Sequence, residues 1–301
     1  MSKLNDIYEF LDGEENAKIN LYFTRKAKSG YMTFSPNVDR AMFGDLLGLI
    51  RKVISEKKEY ELVEFNPVGY RDKTVETCNI SYVGNHDEIL QSFSHPESVE
   101  TGLNPDDLTF YCMEITKSEE VCRLFRRVTK FRKISSKGIL GWFSGDKLNR
   151  MEHQMIGLDG FVDLIEYGDT LYILNHIALE RIFRLEEEFS TRAEEALSIL
   201  KATGRIENFE QFEEDCLSDH RYHKTLSKML QDNEDLGKAF DHFENIREVV
   251  EMFSLEIELV DGDVPKIQYQ DKSQRMDILR IINDAYYRSI IRERKGIDTD
   301  R

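Results

Sequence analysis

The apolar pattern of this chain changes period at Asn175, and that change limits the architectures open to it. From Leu108 to Leu174 the apolar residues alternate or run in short β-branched and aromatic stretches. Leu108–Ile115, Val121–Ile134, Ile139–Phe143, Phe161–Tyr167 and Leu171–Leu174 all read as strands. Gly145-Asp146 and Gly168-Asp169 separate some of them. Glycine first in a two-residue loop suits a type II′ hairpin, because glycine accepts a positive φ. Closely spaced hairpin turns favour an antiparallel meander over βαβ crossovers. After Asn175 the spacing becomes three and four. Ile182, Phe183, Phe189, Ala193, Ala196, Leu197 and Leu200 form one helical stripe, with Asn175 as its expected N-cap and Gly204 as its stop. The expected class is therefore α+β: an antiparallel β-meander sheet flanked by helices, then a mainly helical part with one β-hairpin.

Other elements follow from the same patterns. Lys3–Leu11 and a segment through Met42, Leu46, Leu47, Ile50 and Ile54 read as helices, and Ile19–Thr24, Tyr60–Phe65 and Thr74–Ile80 as strands. Further helices are expected at Phe209–Cys216, Tyr222–Gln231, Asp235–Phe253 and Ser273–Ile291. Asp261-Gly262 marks a hairpin between Leu255–Val260 and Lys266–Tyr269. Ser81–Asp107 is polar and turn-rich and defines no element. Residues 1–174 are read as a mixed α+β domain and 175–301 as a mainly helical one. No flexible linker separates them, so one packed unit is compatible with the pattern.

The chain has 301 residues, 40% of them hydrophobic, including 18 Phe and 13 Tyr. That supports a real core and excludes wholesale disorder. No apolar run approaches the ~18–20 residues of a membrane span, and the first residues carry no apolar signal region. Cys78, Cys112, Cys122 and Cys216 form no CxxC pair, so free thiols and a cytoplasmic location are expected.

One segment stands against the net charge of −16. Between Val121 and Leu140 lie Arg123, Arg126, Arg127, Lys130, Arg132, Lys133 and Lys137, without one Asp or Glu. Uncompensated charge of one sign is costly unless it is solvated, paired from elsewhere or used. Arginine suits phosphate because its planar fork donates two parallel hydrogen bonds. The seven cations are thus a candidate nucleic-acid-binding strip, with Phe125 and Phe131 interleaved for stacking on bases. Seven phosphate contacts would give a log–log salt slope of roughly −6. The competing expectation is an edge strand guarded by charge, or a face paired with the acidic helix at Glu186–Glu195.

Other constellations are weaker. Cys216, Asp219, His220 and His223 have donor types a metal accepts, but match no standard zinc spacing. Asp163, Glu166 and Asp169 could be imagined as an acidic metal cluster, yet residues three apart in a strand point to opposite faces. Gly141-Trp142-Phe143 holds the single Trp, and a buried strand position is the simpler expectation. Phosphate-loop, dinucleotide, nucleophile-elbow and HExxH motifs are missing. No catalytic residue, metal ligand or cofactor is assigned.

The run from Leu158 to Glu186, with Asp159-Gly160-Phe161-Val162-Asp163, the Gly168-Asp169 turn and Asn175-His176, resembles the KwaB-like family of Kiwa anti-phage defence. The basic stretch Phe125–Lys133 and the segment Leu279–Ser289 are similar in texture, so the likeness spans roughly Leu108–Ile291. The resemblance implies a non-enzymatic, DNA-binding effector of bacterial defence. It implies a partner, a small multi-span membrane protein of the same system (KwaA-like), that recruits the effector to the inner membrane. It also implies interference with phage DNA replication or transcription. The helical C-terminal part is a natural place for self-association, with a homodimer the commonest symmetric outcome. The alternatives are a divalent-metal nuclease with an unfamiliar site, or a pure protein-interaction scaffold.

Overall fold

In the computed structural model the described residues are 3–12, 17–28, 30–69, 72–99, 103–128, 141–144, 146–150, 156–233 and 235–298. The chain divides into two compact units, the first ending at Leu185 and the second comprising residues 186–301 with the short segment Asn66–Tyr70. The first unit is built on an eight-stranded sheet of order β2-β1-β5-β6-β9-β10-β4-β3. Its strands are β1 (Lys18–Lys26), β2 (Tyr31–Phe34), β3 (Glu61–Glu64), β4 (Thr74–Asn79), β5 (Phe110–Lys117), β6 (Glu120–Arg127), β9 (Leu164–Tyr167) and β10 (Thr170–Ile173). A separate hairpin, β7 (Gly141–Ser144) with β8 (Lys147–Arg150), lies in sequence between β6 and β9.

Every neighbouring pair in the large sheet is antiparallel except β3 with β4, which are parallel. The class is α+β as expected, but the sheet is mixed rather than a pure meander. Nothing in the alternation of Leu62 and Val63 could reveal the direction of pairing, since both directions share the period of two. The turn between β9 and β10 behaves as its residues require: Gly168 has φ +61°. The stretch Val121–Ile134, read as one long strand, is a strand only to Arg127 among the described residues.

Both faces of this sheet are covered. Leu124, Cys122, Met113, Tyr111, Leu21 and Ile165 point to one face. There they join Leu4 and Ile7 of α1 (Lys3–Phe10) and Leu46, Leu47, Ile50 and Ile54 of α2 (Arg40–Glu56). Asp39 caps α2 by accepting from the Ala41 amide at 3.4 Å. Phe125, Phe110 and Tyr22 point the other way. Tyr22 stacks on Phe93 of α3 (His86–Ser94) at 4.4 Å, and Phe125 meets Phe183 edge-on at 5.7 Å. Phe183 ends α4 (His176–Ile182), whose cap Asn175 accepts from the Ala178 amide.

The expected domain boundary at 174/175 therefore moves. The helix opened by Asn175 belongs with the sheet, because Ala178, Leu179 and Ile182 are buried with it, and the division falls between Leu185 and Glu186. The single stripe expected from Ile182 to Leu200 is broken at Arg184, whose φ of +52° ends α4 before α5 (Leu185–Ala202) begins.

The second unit packs α5, α6 (Phe209–Leu217), α7 (His220–Asp232), α8 (Phe243–Phe253) and α9 (Arg275–Ile282) around Phe212, Leu226, Phe240, Tyr269 and Ile278. A small sheet pairs β11 (Ile206–Glu207), β13 (Lys266–Gln268) and β12 (Glu258–Val260). The expected hairpin at Asp261-Gly262 exists, with a loop longer than a two-residue turn. The expected last helix is too long. It ends at Ile282 because Asn283 caps it and Asp284 turns left-handed at φ +50°, and Tyr286–Arg288 then forms β14, paired with β15 (Lys295–Ile297).

Candidate nucleic-acid interface

Strand β6 carries the first three residues of the basic segment. Arg123 sits in a row of directly opposed residues running Asn20–Glu114–Arg123–Glu166 across β1, β5, β6 and β9. Residues so opposed share a face. The Arg123 Nε donates to Glu114 Oε2 at 2.8 Å, and its Nη1 donates to Glu166 Oε1. The other oxygen of Glu166 meets Nε2 of His86, from α3, at 2.9 Å. Glu114 accepts in addition from the amide of Asn20 at 3.2 Å. Burial opposes the charge on Arg123, but the adjoining Glu166 and Glu114 carboxylates outweigh it and hold the pKa above the usual guanidinium value. Above the row, Tyr22 is pushed up to about 12 by burial and by the Glu114 charge.

Arg126, three residues on, faces the other side of the sheet. It grips Asp159 with both ends of its fork, Nε to Oδ1 at 2.9 Å and Nη2 to Oδ2 at 2.8 Å. Its Nη1 donates to Asp163 Oδ1 at 2.9 Å, and its guanidinium lies 5.5 Å from the exposed Phe161 ring. The hydrogen bond to Asp159 is the main cause of a pKa raised above the ordinary arginine value. Asp163 is only 1% exposed and serves as a hub. Beyond Arg126, it accepts from the Arg127 amide and from the Asn175 side chain, both at 2.8 Å. Arg127 is the least committed of the three, since its Nε approaches Asp163 Oδ2 only at 3.7 Å.

The expected strip is thus corrected in part. Arg123 and Arg126 are not uncompensated cations. They point to opposite faces and are neutralised by Glu114, Glu166, Asp159 and Asp163. Phe125, expected as a base-stacking ring, is fully buried. Lys130, Arg132, Lys133, Lys137 and Phe131 lie outside the described residues. The carboxylates that claim the arginines lie outside the acid-free window of sequence. The signal that could have located Glu114 was the β5–β6 hairpin, whose short turn sets Lys117 opposite Glu120 and hence Glu114 opposite Arg123. Nothing in the sequence places Asp159 against Arg126.

The other candidates separate similarly. Glu166 meets Arg123 and His86, whereas Asp163 meets Arg126 and Arg127, so the structure does not bring these two carboxylates together. Cys216 is buried, with its thiol pushed up to about 12 by that burial, and His223 Nε2 bonds the Leu217 carbonyl at 2.9 Å. Among the described residues, no group of three His, Cys, Asp or Glu is disposed to hold a metal. The four cysteines carry no disulfide. No described helix is long and apolar enough to cross a membrane.

A second buried ion cluster sits at the start of α4. His176 Nδ1 meets Glu76 of β4 at 2.9 Å, and Nε2 meets Glu180 at 3.3 Å. Burial opposes protonation here. The hydrogen bonds to Glu180 and Glu76, and their charges, prevail and raise the imidazole pKa to about 9.

These features define an α+β protein whose central sheet is stitched by arginine–carboxylate pairs, with a short basic segment issuing from β6. Residues 106–292 match the family model described as "Kiwa protein KwaB-like". The match covers more than half of the chain, which belongs to the KwaB-like family and is a component of Kiwa anti-phage defence. No curated protein matches this chain, and neither does any solved structure.

Proposed function

We propose that this chain is the DNA-binding effector of its Kiwa system, acting with a small multi-span membrane protein to block phage DNA replication or transcription. The observation that carries the proposal is the separation of the seven cations into two classes. Arg123 and Arg126 are consumed by the sheet's own carboxylates. The sequence that follows offers Lys130, Arg132, Lys133 and Lys137 with no acidic residue from 128 to 140, and Arg127 is loosely held beside it. The functional contact is therefore this shorter segment. Confining the cations there also reconciles DNA binding with a net charge of −16, since a local basic site suffices for phosphate contact. Recruitment by a membrane partner would raise the local concentration where DNA enters, an avidity effect that needs no new contact.

Fluorescence anisotropy with a labelled duplex tests this. Four to five phosphate contacts give a log–log salt slope of roughly −4, rather than the −6 of a seven-cation strip. Replacing Lys130, Arg132, Lys133 and Lys137 by Glu should abolish binding without altering the far-UV circular dichroism. Unchanged affinity in that variant removes the segment from the mechanism.

A further inference from the structure

The second unit carries a surface feature that the DNA-binding reading does not use. Strands β14 and β15 form a hairpin whose connecting residues, Ser289 to Arg294, project two adjacent isoleucines into solvent. Ile290 is 97% exposed and Ile291 93%. Large apolar side chains exposed to this degree and set side by side mark an interaction site. Four cations surround them: Arg288, Arg292, Arg294 and Lys295. The one acid in the loop, Glu293, is held by Arg288 at 2.6 Å, and no carboxylate partner is seen for Arg292 or Arg294 among the described residues.

The tip is held in a defined shape. The Ser289 amide donates to the Arg294 carbonyl at 2.8 Å, the Glu293 amide to the Ser289 carbonyl at 2.8 Å, and the Arg294 amide to Ser289 Oγ at 2.9 Å. Glu293 takes a left-handed φ of +51° to close the loop. At the base, the Tyr287 ring lies so close over Gly296 that a Cβ there would stand 2.5 Å from it. Tyr286 packs on Phe253 at 4.7 Å and donates to Asp277 Oδ1 at 2.7 Å. Lys295 donates to the Met252 carbonyl.

We propose that this hairpin is a lipid-docking tip that inserts Ile290 and Ile291 into the interface of an anionic bilayer. The turn sets two almost fully exposed isoleucines beside Arg292 and Arg294, for which no carboxylate partner is seen among the described residues, and a half-exposed Tyr287. That combination supplies a group for each layer of a bilayer surface: acyl boundary, anionic headgroups, aromatic belt. A nucleic-acid phosphate backbone would engage the arginines but offer nothing to the two isoleucines. A pair of isoleucines alone is a weak anchor, so the cations must contribute, each about fivefold near an anionic surface. Docking is then reversible and depends on lipid charge and salt.

The proposal is tested with the full chain alone, without DNA and without any membrane partner, so its outcome is independent of the DNA-binding reading. The chain is pelleted with sucrose-loaded vesicles of 7:3 phosphatidylcholine and phosphatidylglycerol, or of phosphatidylcholine alone. Binding is expected to the anionic vesicles and to fall on the order of 100-fold on the neutral ones, as two to three unpaired cations require. Ile290→Asp with Ile291→Asp should cut binding at least tenfold, and Arg292→Glu with Arg294→Glu should cut it on anionic vesicles only. Both pairs lie on exposed positions, and an unchanged melting temperature confirms that the fold is intact. The proposal fails if the wild-type chain stays in the supernatant or the isoleucine variant pellets equally well. A dimer-to-monomer change in the isoleucine variant, with vesicle binding preserved, would assign the tip to a second copy.

Discussion

Asp163→Ala is the sharpest test of the idea that the β6 arginines hold the sheet together rather than wait for phosphate. The Asp163 carboxylate takes hydrogen bonds from Arg126 Nη1 at 2.9 Å and from the Arg127 amide and Asn175 Nδ2 at 2.8 Å each. Its side chain is only 2% exposed, so the groups it holds are largely shielded from solvent. Truncation orphans a backbone N–H at a cost of about 1–3 kcal/mol. It also removes one carboxylate from a largely buried ion pair, which typically costs about 3–5 kcal/mol when the charge left behind has no other partner. Arg126 keeps its two-pronged grip on Asp159, so the second cost is partial. The expected loss is about 4 kcal/mol, a large share of the ~5–15 kcal/mol that holds a domain folded. Asp163→Asn retains one acceptor oxygen and should lose about half as much. With an m-value of about 2 kcal/mol/M in urea, Asp163→Ala should lower the midpoint of the transition of the sheet unit by about 2 M. Far-UV circular dichroism reads that shift. A midpoint displaced by less than about 0.5 M, together with tighter DNA binding, would rule out this structural role for Asp163. It would mean that the aspartate merely competes with phosphate for an arginine that the fold does not need.

Two further expectations follow from the same sheet. His176 is raised to about 9 in the folded state from an ordinary value near 6.5, so the folded state holds a proton that the unfolded state has released between those values. Its contribution, about 2 kcal/mol after allowance for solvent screening, is complete below pH 6.5 and disappears as the pH rises through 9. His176→Gln should flatten that slope in urea titrations run from pH 6 to 9.5. Gly160→Ala places a Cβ 2.5 Å from the Leu49 Cβ, on α2, and should lower stability by about 1–3 kcal/mol, visible as a reduced melting temperature.

What the sequence disclosed, and what it withheld, follows the range of the interactions concerned. Gly168 and Asn175 act within four residues of themselves, and each occupies the turn or cap that its chemistry suits. The amphipathic stripe of α2 was legible for the same reason, with Leu46, Leu47, Ile50 and Ile54 all buried. The end of the last helix was not, because the apolar spacing of Ala285 and Tyr286 continues the helical period while Asp284 breaks the backbone. The parallel pairing of β3 with β4 leaves no local mark, and β2 is four residues long. The candidate site suffered most. An acid-free window is a statement about neighbours along the chain, whereas Arg123 and Glu166 are 43 residues apart and become neighbours only through strand register. A strand whose arginines are held on one face by carboxylates of adjacent strands and on the other by the segment before β9 looks, along the chain, the same as a phosphate-binding ribbon.

That ambiguity bears on what a salt titration of this protein means. An arginine already paired within the fold releases no counterion when DNA arrives, so it adds nothing to the slope even if it lies near the nucleic acid. Arg123 and Arg126 are in that position. To contribute they would have to leave Glu114, Glu166, Asp159 and Asp163, and three of those carboxylates, Glu114, Glu166 and Asp163, would be left with their charge in poorly solvated surroundings. The exchange is unfavourable, because a solvated phosphate offers no more than Arg126 already gains from the two-pronged Asp159 or Arg123 from its two carboxylates. The salt slope therefore counts only the cations the sheet does not need. A value near −4 assigns DNA contact to Arg127, Lys130, Arg132, Lys133 and Lys137. A value near −6 would require the arginine–carboxylate pairs to open on binding, and DNA would then destabilise the very sheet that presents the basic segment to it.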